Sequence, residues 1–141
     1  MANDSNDFAR SMGIATSGLR AQAGRMRVIS ENIANADSAS PTAGGDPYRR
    51  KVPSFTSELD RALDARVVGI GKVRPDTSAF RIKHEPGNPA ADASGNVKYP
   101  NVNPLVEMTD MRDAQRSYEA NLNIISATRR MIQRTLDILK A

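Results

Sequence analysis

Both ends of the chain carry an apolar stripe whose spacing alternates between three and four residues, and nothing between them supplies a comparable core. The N-terminal stripe runs Phe8, Met12, Ala15, Leu19, Gln22, Met26, Ile29, Ile33. The C-terminal one runs Met108, Met111, Gln115, Tyr118, Leu122, Ile125, Arg129, Ile132, Leu136, Leu139. Such spacing holds a narrow seam on one side of a helix and marks helices that pack against other helices. A weaker row, Ile124, Met131 and Ile138, repeats every seven residues on an adjoining face. One seam suits one partner helix, whereas two neighbouring seams imply more than one. A hairpin of the two helices within one chain and a bundle shared among chains both satisfy the pattern. Burying each large aliphatic is worth about 1.5–3 kcal/mol, so whatever covers these side chains dominates the stability.

The expected fold is mainly α. Long N- and C-terminal helices form an antiparallel coiled-coil-like pair around a central extended region with a small β-hairpin. The expected division is a disordered N-terminus at 1–6, an N-terminal helix at 7–36, a central loop and β region at 37–103, and a C-terminal helix at 104–141, the two helices making one inner bundle domain. Asp7 is a competent cap for the first helix. Gly13, Gly18 and Gly24 each cost it about 1 kcal/mol relative to alanine, and they read as places where a neighbour approaches closely. With Phe8 beside Leu139, an antiparallel pair sets Met26 near residue 121 and Ile33 near residue 114.

The middle of the chain is loop and strand. Asn32 to Ser38 ends the first helix, asparagine being suited to helix C-termini. Ser40 to Pro47 is a flexible loop by composition. Tyr48–Thr56 and Arg66–Arg74 read as extended, with Leu59, Ala62 and Leu63 predicting a short helix or broad turn over Ser57–Ala65 between them. Ala79–His84 and Asn96–Tyr99 flank a polar turn as a second extended pair. The last helix is predicted to start at Asn103, with Pro104 in the favoured first position and Glu107 and Asp110 near its positive end.

The formal charge is +4, but it is spread evenly. Residues 1–35 hold four basic and three acidic side chains, 36–104 ten and eight, and 105–141 six and five. Polyanion binding needs a concentrated footprint, and the single short basic run is Arg49-Arg50-Lys51. A solvated strand edge and a phosphate contact both account for it. The absence of cysteine excludes disulfides and thiolate chemistry. No apolar run approaches the roughly 20 residues that span a bilayer, and the polar, acidic first residues are unlike a cleaved secretory signal. His84 stands without a second ligand at motif spacing, and Glu58, Asp60 and Asp64 scatter around their segment. Gly69-Ile70-Gly71 fails as a dinucleotide fingerprint because Arg74 and Pro75 follow. No enzyme, cofactor or metal is expected.

Residues 30–38, Ser-Glu-Asn-Ile-Ala-Asn-Ala-Asp-Ser, resemble the N-terminal motif of flagellar axial proteins, the rod, hook and hook-associated family. Pro47-Tyr48-Arg49-Arg50-Lys51-Val52, Tyr99-Pro100-Asn101-Val102-Asn103, Glu107-Met108-Thr109-Asp110-Met111 and Ser117-Tyr118-Glu119-Ala120-Asn121 look like the proximal-rod members, collinearly along the chain. Ser38 replaces the usual threonine, and Pro53-Ser54 interrupts a stretch that is usually valine-rich.

The resemblance implies a structural subunit of the bacterial basal body, exported through the flagellar type III apparatus and stacked helically into the hollow proximal rod across the periplasm. Its partners would be other copies of itself, neighbouring rod proteins and the export apparatus, with no nucleic acid and no direct membrane insertion. On that reading Leu19, Met26, Ile29, Ile33, Leu122, Ile125, Ile132 and Leu136 hold the helices together. Asn32, Asn35 and Asn121 would satisfy backbone groups where helices end or cross between subunits, and Tyr118 would pack its ring in the seam with its hydroxyl reaching a polar neighbour. Another flagellar or type III axial subunit, and a small basic nucleic-acid-binding module, are the alternatives.

Overall fold

The computed structural model describes residues 2–140. Two helices bracket six short strands: α1 (Ala2–Ala34), β1 (Lys51–Val52), β2 (Phe55–Asp60), β3 (Ala65–Ile70), β4 (Arg74–Pro75), β5 (Arg81–His84), β6 (Asn96–Tyr99) and α2 (Pro104–Lys140). The strands form three antiparallel two-stranded ladders, β1 with β4, β2 with β3 and β5 with β6. Mainly helical architecture with small central hairpins therefore holds in outline.

One expectation fails at the N-terminus. Residues 2–6, expected to be disordered, are helical, and Met1 lies outside the described residues. No glycine or proline between Ala2 and Asp7 stops the helix from extending backward. Asp7 is then a residue of α1 that pairs with Arg10 at 3.8 Å, and it is not the cap.

The chain divides into two compact units. The first contains α1 as far as Met26, the segment Ser54–Lys72, and α2 from Asp113 onward. Its hairpin pairs Phe55 with Ile70 through to Asp60 with Ala65, so the helix or broad turn predicted over Ser57–Ala65 is corrected to a strand followed by a tight reversal. The ladder satisfies the backbone of Ser57, Glu58 and Leu59 against Val68, Val67 and Arg66, and β-branched Val67 and Val68 favour that pleat. Asp60 closes the reversal by accepting from the Ala62 and Leu63 amides at 2.9 and 3.2 Å. Asp64 completes it in the left-handed region at φ 46°.

The helical glycines receive neighbours, as their positions implied. Leu63 of the reversal sits against Gly13, and a Cβ at Gly24 would lie 2.8 Å from Ile70. At Gly18 a Cβ would lie 2.8 Å from the amide of Asn121 on α2. Ser17 accepts from the Val68 amide at 3.2 Å, and Arg10 donates to the Leu63 carbonyl at 2.9 Å, tying the hairpin to α1. The buried positions here carry small side chains: Ala15, Ala21, Ala114 and Thr128. Close approach substitutes for bulk in this interior.

The second unit contains Arg27–Pro53 and Val73–Arg112. Val28, Ile29, Ala36, Ala90, Val97 and Val102 form its apolar interior, with Val97 fully enclosed on β6. β5 and β6 pair from Arg81 with Tyr99 to His84 with Asn96, as the two extended segments anticipated. Asn103 caps α2 through its side-chain oxygen, which accepts from the Leu105 amide at 3.1 Å. At the other helix end Asn35 bonds the Glu31 carbonyl with its amide at 2.9 Å.

Gly18→Val should cost the first unit about 1–3 kcal/mol by overpacking against Asn121. Asn121→Ala in the same chain should restore most of the loss, because it removes the atoms that clash. Urea unfolding of the two variants measures both effects, and equal midpoints for Gly18→Val and the parent chain would refute the close approach.

Candidate functional site

Glu107 is fully buried, though the sequence reading placed it merely near the positive end of α2. A carboxylate removed from water loses several kcal/mol of hydration unless donors replace it. Two side chains do so. Arg50 Nε donates to Oε1 at 2.6 Å, and Asn32 Nδ2 donates to Oε2 at 3.1 Å. The same guanidinium lies 3.6 Å from Asp76 and 3.8 Å from Asp110. Hydrogen bonding to Glu107 and the surrounding carboxylates hold the Arg50 proton more tightly than usual, against the opposing effect of burial.

Asn32, 1% exposed on the last turns of α1, joins helix to loop. Its Oδ1 accepts from the Lys51 amide at 2.9 Å while its Nδ2 donates to the Lys51 carbonyl at 2.8 Å. The side-chain amide thus pairs with one residue's main chain much as a neighbouring strand would. Tyr48 adds a second bond to the same oxygen, donating at 2.8 Å. Asn101 completes the arrangement from the other side. Its Oδ1 accepts from the Arg50 amide at 2.8 Å, and its Nδ2 reaches the Ser78 hydroxyl at 2.9 Å and the Asp76 carbonyl at 3.1 Å.

The segment Tyr48–Lys51 is therefore a clasp held by α1, α2 and the Tyr99–Asn103 connection together. Each of those pieces comes from one of the motifs singled out in the sequence, brought to one place by the fold.

The basic run resolves here too. Arg49 lies 4.1 Å over the Phe80 ring and donates to the carbonyls of Asp76 and Ser78. Arg50 holds Glu107, and Lys51 pairs with Glu31. All three cations are engaged within the chain. The Ser78 backbone amide, bonded to Asp76 at 2.9 Å, is the foremost cause that holds the Asp76 carboxyl below its ordinary range.

The structure treats the other sequence-derived candidates unevenly. Ile29 and Asn32 are buried; Leu19, Met26, Ile33, Asn35, Tyr118, Asn121, Ile125 and Ile132 are half-buried. Leu122 and Leu136 are 47% and 45% exposed. Asn121 lies against Gly18, not Met26, and bonds its own helix at Ser117. Asn32 bonds the Lys51 main chain, and Asn35 bonds the Glu31 carbonyl of its own helix. Glu107, Arg50, Tyr48 and Asn101 were missed as site residues, although each stood inside a quoted motif. The available signal was an acid one turn into a helix flanked by apolar residues. Glu58, Asp60 and Asp64 do not converge: Asp60 caps the turn and Asp64 pairs with Arg10 at 2.8 Å. Among the described residues no acidic or histidine cluster could hold a metal ion.

Burial first, then the charges of Glu31 and Glu107, pushes the Tyr48 hydroxyl up to about 12 from an ordinary 10.0. A pKa raised on folding contributes stability that is complete below the unfolded value and vanishes as pH climbs through the folded one. Tyr48 should therefore destabilise the second unit progressively between pH 10 and about 12. Tyr48→Phe should flatten that part of the alkaline stability profile, measured by chemical unfolding at successive pH values.

Comparison with known proteins accords with this arrangement. A family model described as "Flagella basal body rod protein" matches residues 12–40, and one described as "Flagellar basal body rod FlgEFG protein C-terminal" matches residues 93–138. The flagellar basal-body rod protein FlgC of Agrobacterium fabrum is 53% identical over 128 residues, covering 91% of this chain and 92% of the relative. That of Bacillus subtilis is 37% identical, covering 92% and 97%, and that of Aquifex aeolicus 36%, covering 95% and 98%. Identity of this order, sustained over nearly the full length of both partners, means that the chain belongs to the flagellar basal-body rod protein FlgC family.

Proposed function

We propose that this rod subunit completes its packing by polymerisation, its terminal helices forming the inner bundle of the proximal rod. The chain is a structural, non-enzymatic component of the flagellar basal body, as its family is. The observation that carries the finer reading is the uncovered apolar surface of α2. Leu122, Ile124, Met131, Leu136, Ile138 and Leu139 are all between 45% and 77% exposed. They come from both the seam and the adjoining row. Large aliphatic side chains left open in this number mark an interaction site, and two rows on one helix call for more than one covering helix.

On this reading Leu19, Met26, Ile29, Ile33, Leu122, Ile125, Ile132 and Leu136 pack helices within and between subunits, with Tyr118 filling the same seam. α1 and α2 run antiparallel. The contacts of Gly18 with Asn121 in the first unit and of Asn32 with Glu107 in the second support this. Subunits stack helically, the central strands brace neighbours on the outside, and other copies and adjoining rod proteins are the partners. Export through the flagellar type III apparatus delivers the chain to the rod across the periplasm. Among the described residues no helix is long and apolar enough to cross a membrane.

Leu122→Asp tests the assembly surface. Because Leu122 is half exposed in the single chain, its replacement should change lone-chain stability by less than about 1 kcal/mol. In a bundle it would bury an unpaired charge at a cost of several kcal/mol. A strain carrying only this variant should lack the subunit in purified basal bodies and should not swim; normal motility would sink the assignment.

A further inference from the structure

We infer that Glu107 is a register key: its bonds to Arg50 and Asn32 select one pairing of α1 with α2 from several that the apolar seams would accept. One row of the α2 seam, Met108, Leu122 and Leu136 with Gln115 and Arg129 between them, is largely exposed and exerts little choice; along the other row a slide of one heptad replaces Met111 with Tyr118 and Tyr118 with Ile125, apolar for apolar. Dispersion and burial discriminate poorly between such positions. The polar clasp discriminates sharply, because its geometry closes once. One heptad along α2 from Glu107 stands Ala114, which offers no acceptor to Asn32 or to the Arg50 guanidinium. One heptad in the other direction is Pro100, outside the helix.

The observed pairing differs from the one that the seam alone prescribes. Placing Phe8 beside Leu139 puts residue 115 opposite Asn32, but Asn32 bonds Glu107, eight residues earlier. The first unit departs by the same amount: Gly18 meets Asn121 where that register called for residue 129. Leu122 and Leu136 are exposed in the observed pairing. A buried polar contact fixing the register of helices has physical precedent, because the mispaired state strands a charge or a donor away from water.

The role is one of positioning, so its test reads position. The chain has no cysteine, so cysteines introduced at exposed Ser30 and Thr109 take spin labels uniquely, and pulsed dipolar spectroscopy of the full-length chain gives the spacing between them. The parent chain should show a single distance. Glu107→Leu makes the first turns of α2 more apolar and leaves Arg50 beside Asp76 and Asp110, so no cation is stranded. It should nevertheless split the distribution into two populations. Adding Ala114→Glu to Glu107→Leu moves the acceptor by one heptad, and most molecules should follow it, with α2 displaced by about 10 Å along its axis. A single unchanged distance in Glu107→Leu overturns the proposal. So does a double variant that keeps the parent spacing or loses its helical circular dichroism. The measurement needs no polymer, so its outcome is separate from that of the assembly test on Leu122.

Discussion

A carboxylate with no access to water has to be met by donors, and the second unit is built around meeting one. Glu107 draws Arg50 and Asn32 to itself. Asn32 and Asn101 in turn fix the backbone of Tyr48–Lys51, through the Asn32 amide on Lys51 and the Asn101 amide on Arg50. A network of this type is stiff because each member loses a partner if any other moves, and in a low-dielectric setting that loss is large. An apolar cluster of the same size would hold these segments together without specifying how they face one another.

Burial is distributed in a way that suits a subunit of a polymer. The polar geometry around the Asn32 amide is closed by four hydrogen bonds. The large aliphatic side chains of α2 remain open. Were the apolar seam satisfied within the chain, no surface would be left for a neighbour of the same kind. A heterologous contact between copies extends indefinitely when its rotation does not close, which is the geometry of a rod.

The first unit reaches its compactness by a different route. Gly13, Gly18 and Gly24 weaken α1 as an isolated helix, yet each admits a side chain that a Cβ would exclude. The hydrogen bonds that Arg10 donates to the hairpin and Ser17 accepts from it add directional ties. The helix is thus stabilised by what lies on it more than by its own propensity, in keeping with the marginal stability of single helices in water.

Local chemistry alone determined much of this protein. Apolar spacing announced both helices, Asn103 and Pro104 the start of α2, Asn35 the end of α1, and β-branched runs the strands near Val67 and Val97. Quoted motifs carried the family. Tertiary structure decided what depends on partners distant in the chain. Leu59, Ala62 and Leu63 had helical spacing, but pairing with β3 made the segment a strand and a reversal. The basic run looked free until Phe80, Glu107 and Glu31 met it. The helix register was invisible, because a heptad pattern is periodic and cannot state its own phase. That phase came from a hydrogen bond between residues 75 positions apart, whose donor and acceptor have no reason to be buried until the fold brings them together.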